Sequence, residues 1–228
     1  MRLISDPVMP DTRKHRGPHP ADRRLFEPKT WPRLRAAVAD LSWLLSRGYS
    51  DVAALKLVGD RYRLTERQRK AVMRSCCSDA ALVDRVSKQV PAERLSGQTL
   101  LIDGFNVLTT VEAALADGIV LIGRDGCYRD LASMHGSYRK VEETPPALTL
   151  IGRVLEELRT AEATWYLDRP VSNSGRLSVL IRDLSRQHGW GWTVELVDNP
   201  DPVLASAKAV VASADSVVLD RCRRWFNL

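Results

Sequence analysis

Leu100-Leu101-Ile102-Asp103-Gly104-Phe105-Asn106 is an apolar run that ends in a carboxylate, a glycine and an amide. A strand buried in a parallel sheet reads as a continuous apolar run, and open α/β sheets bind ligands outside the carboxyl ends of such strands. The pattern therefore predicts a strand that delivers Asp103 to a cleft. Gly104 is expected to let the backbone turn tightly after the strand, and Asn106 places an amide within one turn of the acid. An aspartate after a strand often only caps the next helix or fills a turn. The rest of the chain has to decide between these readings.

Three later segments do so. Residues 163–168 (ATWYLD), 192–198 (WTVELVD) and 209–215 (AVVASAD) are also apolar runs that end in aspartate. Helical patterns separate them, so right-handed crossovers would make the strands parallel and gather Asp103, Asp168, Asp198 and Asp215 on one edge. Strands are expected near 99–103, 118–122, 163–168, 192–198 and 209–214. Helices are expected near 107–116, 146–160, 174–188, 201–207 and 216–224. The fold class is α/β, a sheet covered by helices on both faces.

The IDGFN and VVASADSVVLD segments resemble the PIN-like nucleases and their NYN relatives, over about residues 98–228. The whole chain, with its basic helical front, resembles an uncharacterised bacterial and archaeal family with such a C-terminal half. The resemblance implies a three-layer PIN-like domain, Mg²⁺ or Mn²⁺ as cofactor, and hydrolysis of a nucleic acid. For the helix-borne acid usual in that family, Asp201 in DNPDPVLASA is the best candidate.

The chain of 228 residues carries a net charge of +6, unevenly divided. Residues 1–98 hold 20 Lys and Arg against 11 Asp and Glu, whereas residues 99–228 hold 14 against 17. A basic front joined to an acid-rich back suits one part that grips a polyanion and another whose carboxylates hold cations. No segment approaches a membrane span, the N-terminus lacks the apolar core of a secretory signal, and a cytoplasmic protein is expected. Cys76, Cys77, Cys127 and Cys222 lack the spacing of a zinc clip, and His15 and His19 flank Gly17 and Pro18, so no zinc site is expected.

The first 30 residues, with five prolines and seven Lys or Arg, read as an extended arm. Residues 31–97 read as a helical nucleic-acid-binding domain. Leu34, Val38, Leu41, Leu44 and Leu45 recur at helical spacing up to Gly48, and Ser50 caps a second helix. Thr65 to Gln68 form a capping box that opens a third helix. On that helix Arg67, Lys70 and Arg74 share one face, with Arg63 just ahead, and the pair has the look of a helix-turn-helix. A linker is expected around residues 91–98.

Clustered carboxylates repel one another, and a divalent cation relieves the repulsion while neutralising a phosphodiester. Oxygen-only ligands favour Mg²⁺ or Mn²⁺. Asp103, Asp168 and Asp215 are therefore assigned to the metal and to catalysis, with Asn106 positioning a water or phosphate, and Asp198 and Asp201 behind them. Ser172, Ser174 and Arg176 open a helix after Arg169, where backbone NH groups favour an anion. The long connection 123–140 brings Arg124 and Arg129 for phosphates and Tyr138 for stacking on bases; His135 within it is assigned no role.

The reading is a metal-dependent endoribonuclease, with RNA favoured over DNA as partner. Its alternative is a non-catalytic RNA-binding protein with a degenerate PIN-like domain. A phosphatase of the haloacid-dehalogenase type is disfavoured because Phe105 stands where its second aspartate would be. Whether the chain forms a homo-oligomer stays open.

Overall fold

A computed structural model of the protein describes residues 15–132 and 138–228. The first part of the expected arm, residues 1–14, and His135 lie outside the described residues. The N-terminal region contains the short α1 (Asp22–Leu25) and the helices α2 (Trp31–Leu45), α3 (Asp51–Arg61), α4 (Glu66–Ser75) and α5 (Asp79–Lys88). Ser50 and Ser78 cap α3 and α5 through their hydroxyls, and the Thr65–Gln68 capping box opens α4. The apolar faces of α2, α3 and α4 close a core around Ala37, Leu41, Ala54, Val58 and Val72.

The C-terminal region is built on a five-stranded sheet, all of whose pairs are parallel. Its strands are β1 (Thr99–Asp103), β4 (Glu162–Asp168), β5 (Trp192–Val197), β6 (Val210–Ala212) and β7 (Trp225–Phe226). They lie in the order β5-β4-β1-β6-β7. Leu100 aligns with Ala163 on one side and Val210 on the other, so β1 is central, with Leu100, Leu101 and Ile102 forming its apolar stretch. Order reverses on either side of β1, which makes the β1/β6 boundary the topological switch point where open α/β sheets hold ligands.

Helices α6 (Gly104–Leu115), α7 (Thr144–Glu157) and α8 (Ser174–His188) cover one face, packing Leu108, Leu148, Ile151 and Ile181 on Leu100, Ile102 and Trp165. Helices α9 (Pro200–Ser206) and α10 (Ser216–Arg221) cover the other, where Leu204, Val218 and Leu219 meet Val211 and Trp225. Leu101, between Leu100 and Ile102, faces this second layer, as strand alternation requires.

Several expectations are corrected. The 118–122 segment does not join the main sheet: β2 (Val120–Ile122) pairs antiparallel with β3 (Tyr128–Asp130) in a separate hairpin, inside what reads in sequence as one long loop. The helix expected at 216–224 stops at Arg221, because Trp225 and Phe226 pair beside β6. Residues 15–30 are not extended throughout; Asp22 is buried beneath Arg67, and α1 and a 3₁₀ turn at Pro28–Thr30 follow. The 91–98 segment is not a free linker, since Val90 N donates to the Trp225 carbonyl and Leu95 is fully buried. Among the described residues no helix is long and apolar enough to cross a membrane.

Candidate active site at the carboxyl edge

Asp103 is the last residue of β1 and only 2% exposed. Its side chain does not cap α6, so the simplest structural use of an aspartate at this position is absent. Instead Oδ2 accepts hydrogen bonds from Ser213 Oγ at 2.6 Å and Asn106 Nδ2 at 2.8 Å. Ser213 Oγ in turn accepts from the backbone N–H of Asp215 at 3.0 Å, which links the ends of β1 and β6. Gly104 does not adopt a left-handed conformation; its hydrogen is needed because a Cβ would lie 2.4 Å from Leu167 Cδ2 and 2.8 Å from the Tyr166 carbonyl. The start of α6 thus presses directly on β4, and this fixes Asp103 and Asn106.

Burial pushes the Asp103 carboxyl up to about 7, against the hydrogen bonds from Ser213 and Asn106 and with added repulsion from Asp215 and Asp201. The Asp168 carboxyl is raised by burial and then by Asp201, and that of Asp201 by burial and then by Asp215. These four carboxylates therefore share one field. Asp215 also caps α10, its Oδ1 accepting from Val217 N at 2.6 Å. Asp198 stands apart: its side chain is 84% exposed and lies 3.7 Å from Arg169. Among the described residues, no three His, Cys, Asp or Glu side chains surround a single point as metal ligands.

The expected phosphate and nucleic-acid residues divide sharply. Tyr138 is buried, hydrogen-bonded to Glu112 and Thr144, and does not face solvent to stack on a base. Arg129 is buried, donating to both Asp125 oxygens and to the Ala214 carbonyl. Arg124 binds Asp79 and the Cys77 carbonyl. Arg169 donates to the Leu196 carbonyl. At the α8 entry, Ser174 Oγ donates to the Arg169 carbonyl and the Ser172 carbonyl receives Tyr138 N–H, so this loop holds itself. Arg176 lines a cavity of about 440 Å³ with Arg139 and Lys140, which none of the four acids lines.

The basic face of α4 is not a solvated surface. Arg67 pairs with Asp22 and reaches the Leu131 carbonyl, and Arg74 lies 3.8 Å from Asp130. The half-buried Lys70 has its ammonium pKa lowered by burial and by Arg74, with Asp130 opposing. These side chains pack α4 onto the C-terminal domain because the hairpin and the start of the chain lie against it. Arg63 is exposed and lines a groove of about 450 Å³ with Arg24, Lys29 and Arg33.

Sequence reasoning overlooked Ser213, although a hydroxyl two residues before an aspartate at the end of a buried strand was visible in ASAD. It also overlooked the buried Arg16–Glu112 pair, at 2.9 Å. A lone acid within the apolar helix GFNVLTTVEAAL was the available signal.

Residues 33–88 match the profile of "Protein of unknown function (DUF434)". The chain is 32% identical over 186 residues to "Uncharacterized protein MJ0935" of Methanocaldococcus jannaschii, covering 82% of this chain and 88% of that protein. It is also 29% identical over 103 residues to an ATP-dependent 6-phosphofructokinase of Streptococcus mutans, covering 45% of this chain and only 29% of that enzyme. No solved structure matches significantly. Residues 92–228, more than half of the chain and the whole of the sheet that carries Asp103, match "Domain of unknown function (DUF5616)", and the protein belongs to that family.

Proposed function

We propose that the protein is a divalent-metal-dependent ribonuclease that acts at the β1/β6 edge, with a PIN-like C-terminal domain. The observation that carries this reading is a buried Asp103 at the switch point, repelled by Asp215 and Asp201 and held by Ser213 and Asn106. Such a carboxylate is costly to ionise without a cation. The donors are oxygens only, which suits Mg²⁺ or Mn²⁺. Asp103 and Asp215 are the ligands in this reading, and Asp168 and Asp201 act through water.

When bound, the ion supplies charge neutralisation at the phosphodiester and an activated water. Ser213 and Asn106 orient Asp103. A cytoplasmic setting and RNA as substrate belong to the same reading. The ATP-dependent 6-phosphofructokinases that align with part of the chain add nucleotide phosphate to the ligand classes worth testing.

A second reading, a non-catalytic RNA-binding protein with a degenerate site, is favoured by the separation of the acids. Incubation with labelled tRNA, single-stranded RNA and single-stranded DNA, in Mn²⁺, Mg²⁺ or EDTA, decides between them. Cleavage that needs metal and is lost in Asp103→Asn supports the nuclease. Binding without cleavage by pure wild-type protein supports the second reading.

A further inference from the structure

A cavity of about 470 Å³ lies between the helical region and the carboxyl edge of the sheet. Its C-terminal wall holds Asn106 and Asp215, both already placed in the candidate active site, and its N-terminal wall holds Arg74 of α4. The size falls in the range of roughly 300–1,000 Å³ typical of small-ligand sites.

Three arginines line this cavity, and two of them are fully engaged. Arg129 is held by Asp125 and the Ala214 carbonyl, and Arg85 by Asp125 and Asp220. Arg74 differs. Among the described residues its buried Nε finds no hydrogen-bond partner, and its ion pair to Asp130 is loose at 3.8 Å. Asp130 meanwhile accepts from Thr110 Oγ1 at 3.1 Å and from Ala132 N at 2.6 Å. A guanidinium left with an unmet donor is costly, and the planar fork of arginine is the usual partner of a phosphate. Tyr49, 54% exposed, and Met73 give the same cavity an apolar wall of the kind a base lies against.

We infer that this interdomain cavity is a binding site for an organic phosphate, with Arg74 as the phosphate ligand and Tyr49 beside the organic part. The helical region then completes the site: α4 places a cation across the cavity from Asp215. The inference deepens the nuclease reading, which it supplies with a substrate subsite, but its test does not depend on metal chemistry.

The test is equilibrium binding in EDTA, by fluorescence anisotropy of a labelled tetraribonucleotide and by calorimetry with AMP, with inorganic phosphate as competitor. Wild type is expected to bind at least one of these organic phosphates. Arg74→Ala should weaken that binding about tenfold or more, the loss of a charge-assisted pair, and Arg74→Lys less. Tyr49→Ala, at a side chain more than half exposed, should weaken it without lowering the melting temperature. Asp103→Asn should retain it even where cleavage is lost. AMP binding equal to that of the tetranucleotide identifies a free nucleotide as the ligand; binding of the tetranucleotide alone identifies a nucleic-acid strand. Failure of wild type to bind both AMP and the tetranucleotide overturns the site, as does unchanged affinity in both Arg74→Ala and Tyr49→Ala. Neither result alters the metal-dependent cleavage measured separately.

Discussion

Ser213 donates its hydroxyl to Asp103 Oδ2 at 2.6 Å while accepting the Asp215 N–H at 3.0 Å, so the ends of the two strands at the switch point are tied through one oxygen. The arrangement fixes the carboxyl of Asp103 yet leaves it buried next to other acids. Its pH behaviour follows.

Because the folded carboxyl of Asp103 is pushed up to about 7 from 3.8, its contribution to stability is full below pH 3.8 and is lost as pH rises through 7. In EDTA, Asp103→Asn should therefore gain in stability relative to wild type between pH 4 and 7 and level off above, by at most about 4 kcal/mol. Mn²⁺ at pH 7.5 should stabilise wild type and reverse that order, by binding the native state. Thermal denaturation across pH, with and without metal, measures both. A difference that does not change with pH would mean that Asp103 is not a strained acid.

The strands ending at or near Asp103, Asp168, Asp198 and Asp215 were legible because a strand buried in a parallel sheet reads as a continuous apolar run. The β2–β3 hairpin was not: β3 is three residues long, and Arg129 and Asp130 read as polar loop residues until Arg129 is seen paired with Asp125 and Asp130 hydrogen-bonded by the two threonines of α6. The basic face of α4 misled for a related reason. Spacing shows that Arg67, Lys70 and Arg74 share a face, but only tertiary structure shows that Asp22, 45 residues earlier in the chain, is buried against Arg67. Tyr138 failed as a base-stacking residue because its partner Glu112 is 26 residues distant and buried.

The buried Arg85–Asp125–Arg129 group joins α5 to the hairpin. Burial alone would raise the Asp125 carboxyl, but hydrogen bonds and charge from Arg129 and then Arg85 hold it down at about 2. Its stabilisation is present above pH 3.8 and lost as pH falls through 2. Asp125→Asn should cost about 3–5 kcal/mol near neutral pH, since it leaves two buried cations facing a neutral amide. The deficit should narrow between pH 4 and 2, which chemical denaturation at each pH would read. An equal deficit at pH 2 and pH 7 would assign the loss to packing.

Arg16 fastens the described part of the N-terminal arm to α6, donating to Glu112 at 2.9 Å and to the Arg139 carbonyl at 3.0 Å. Arg16→Ala should leave Glu112 buried without a cation, cost about 3 kcal/mol or more, and expose residues 15–25 to trypsin. The double variant Arg16→Ala/Glu112→Gln should recover part of the stability without restoring protection of the arm. Limited proteolysis and denaturation of the two variants separate charge from docking; full protection in Arg16→Ala would mean that other contacts hold the arm.

The exposed groove of Arg24, Lys29, Arg33 and Arg63 has one acid in its lining, Glu27, which Lys29 already meets at 2.8 Å. Arg24, Arg33 and Arg63 make no ion pair among the described residues, so under the proposed RNA-binding reading this groove, and not the α4 face, would offer cations without displacing internal ion pairs. Replacing Arg24, Arg33 and Arg63 together with alanine should weaken binding of single-stranded RNA alike across sequences. Each lost phosphate contact should lower the slope of log K against log salt by about 0.7. The melting temperature should hold, because among the described residues these three side chains make no ion pair. Arg67→Ala should do the opposite, lowering the melting temperature by breaking the pair with buried Asp22 while changing the salt slope little. Filter binding over a salt series, run beside thermal denaturation, reads both effects. A triple variant with the wild-type slope would remove the groove from RNA binding.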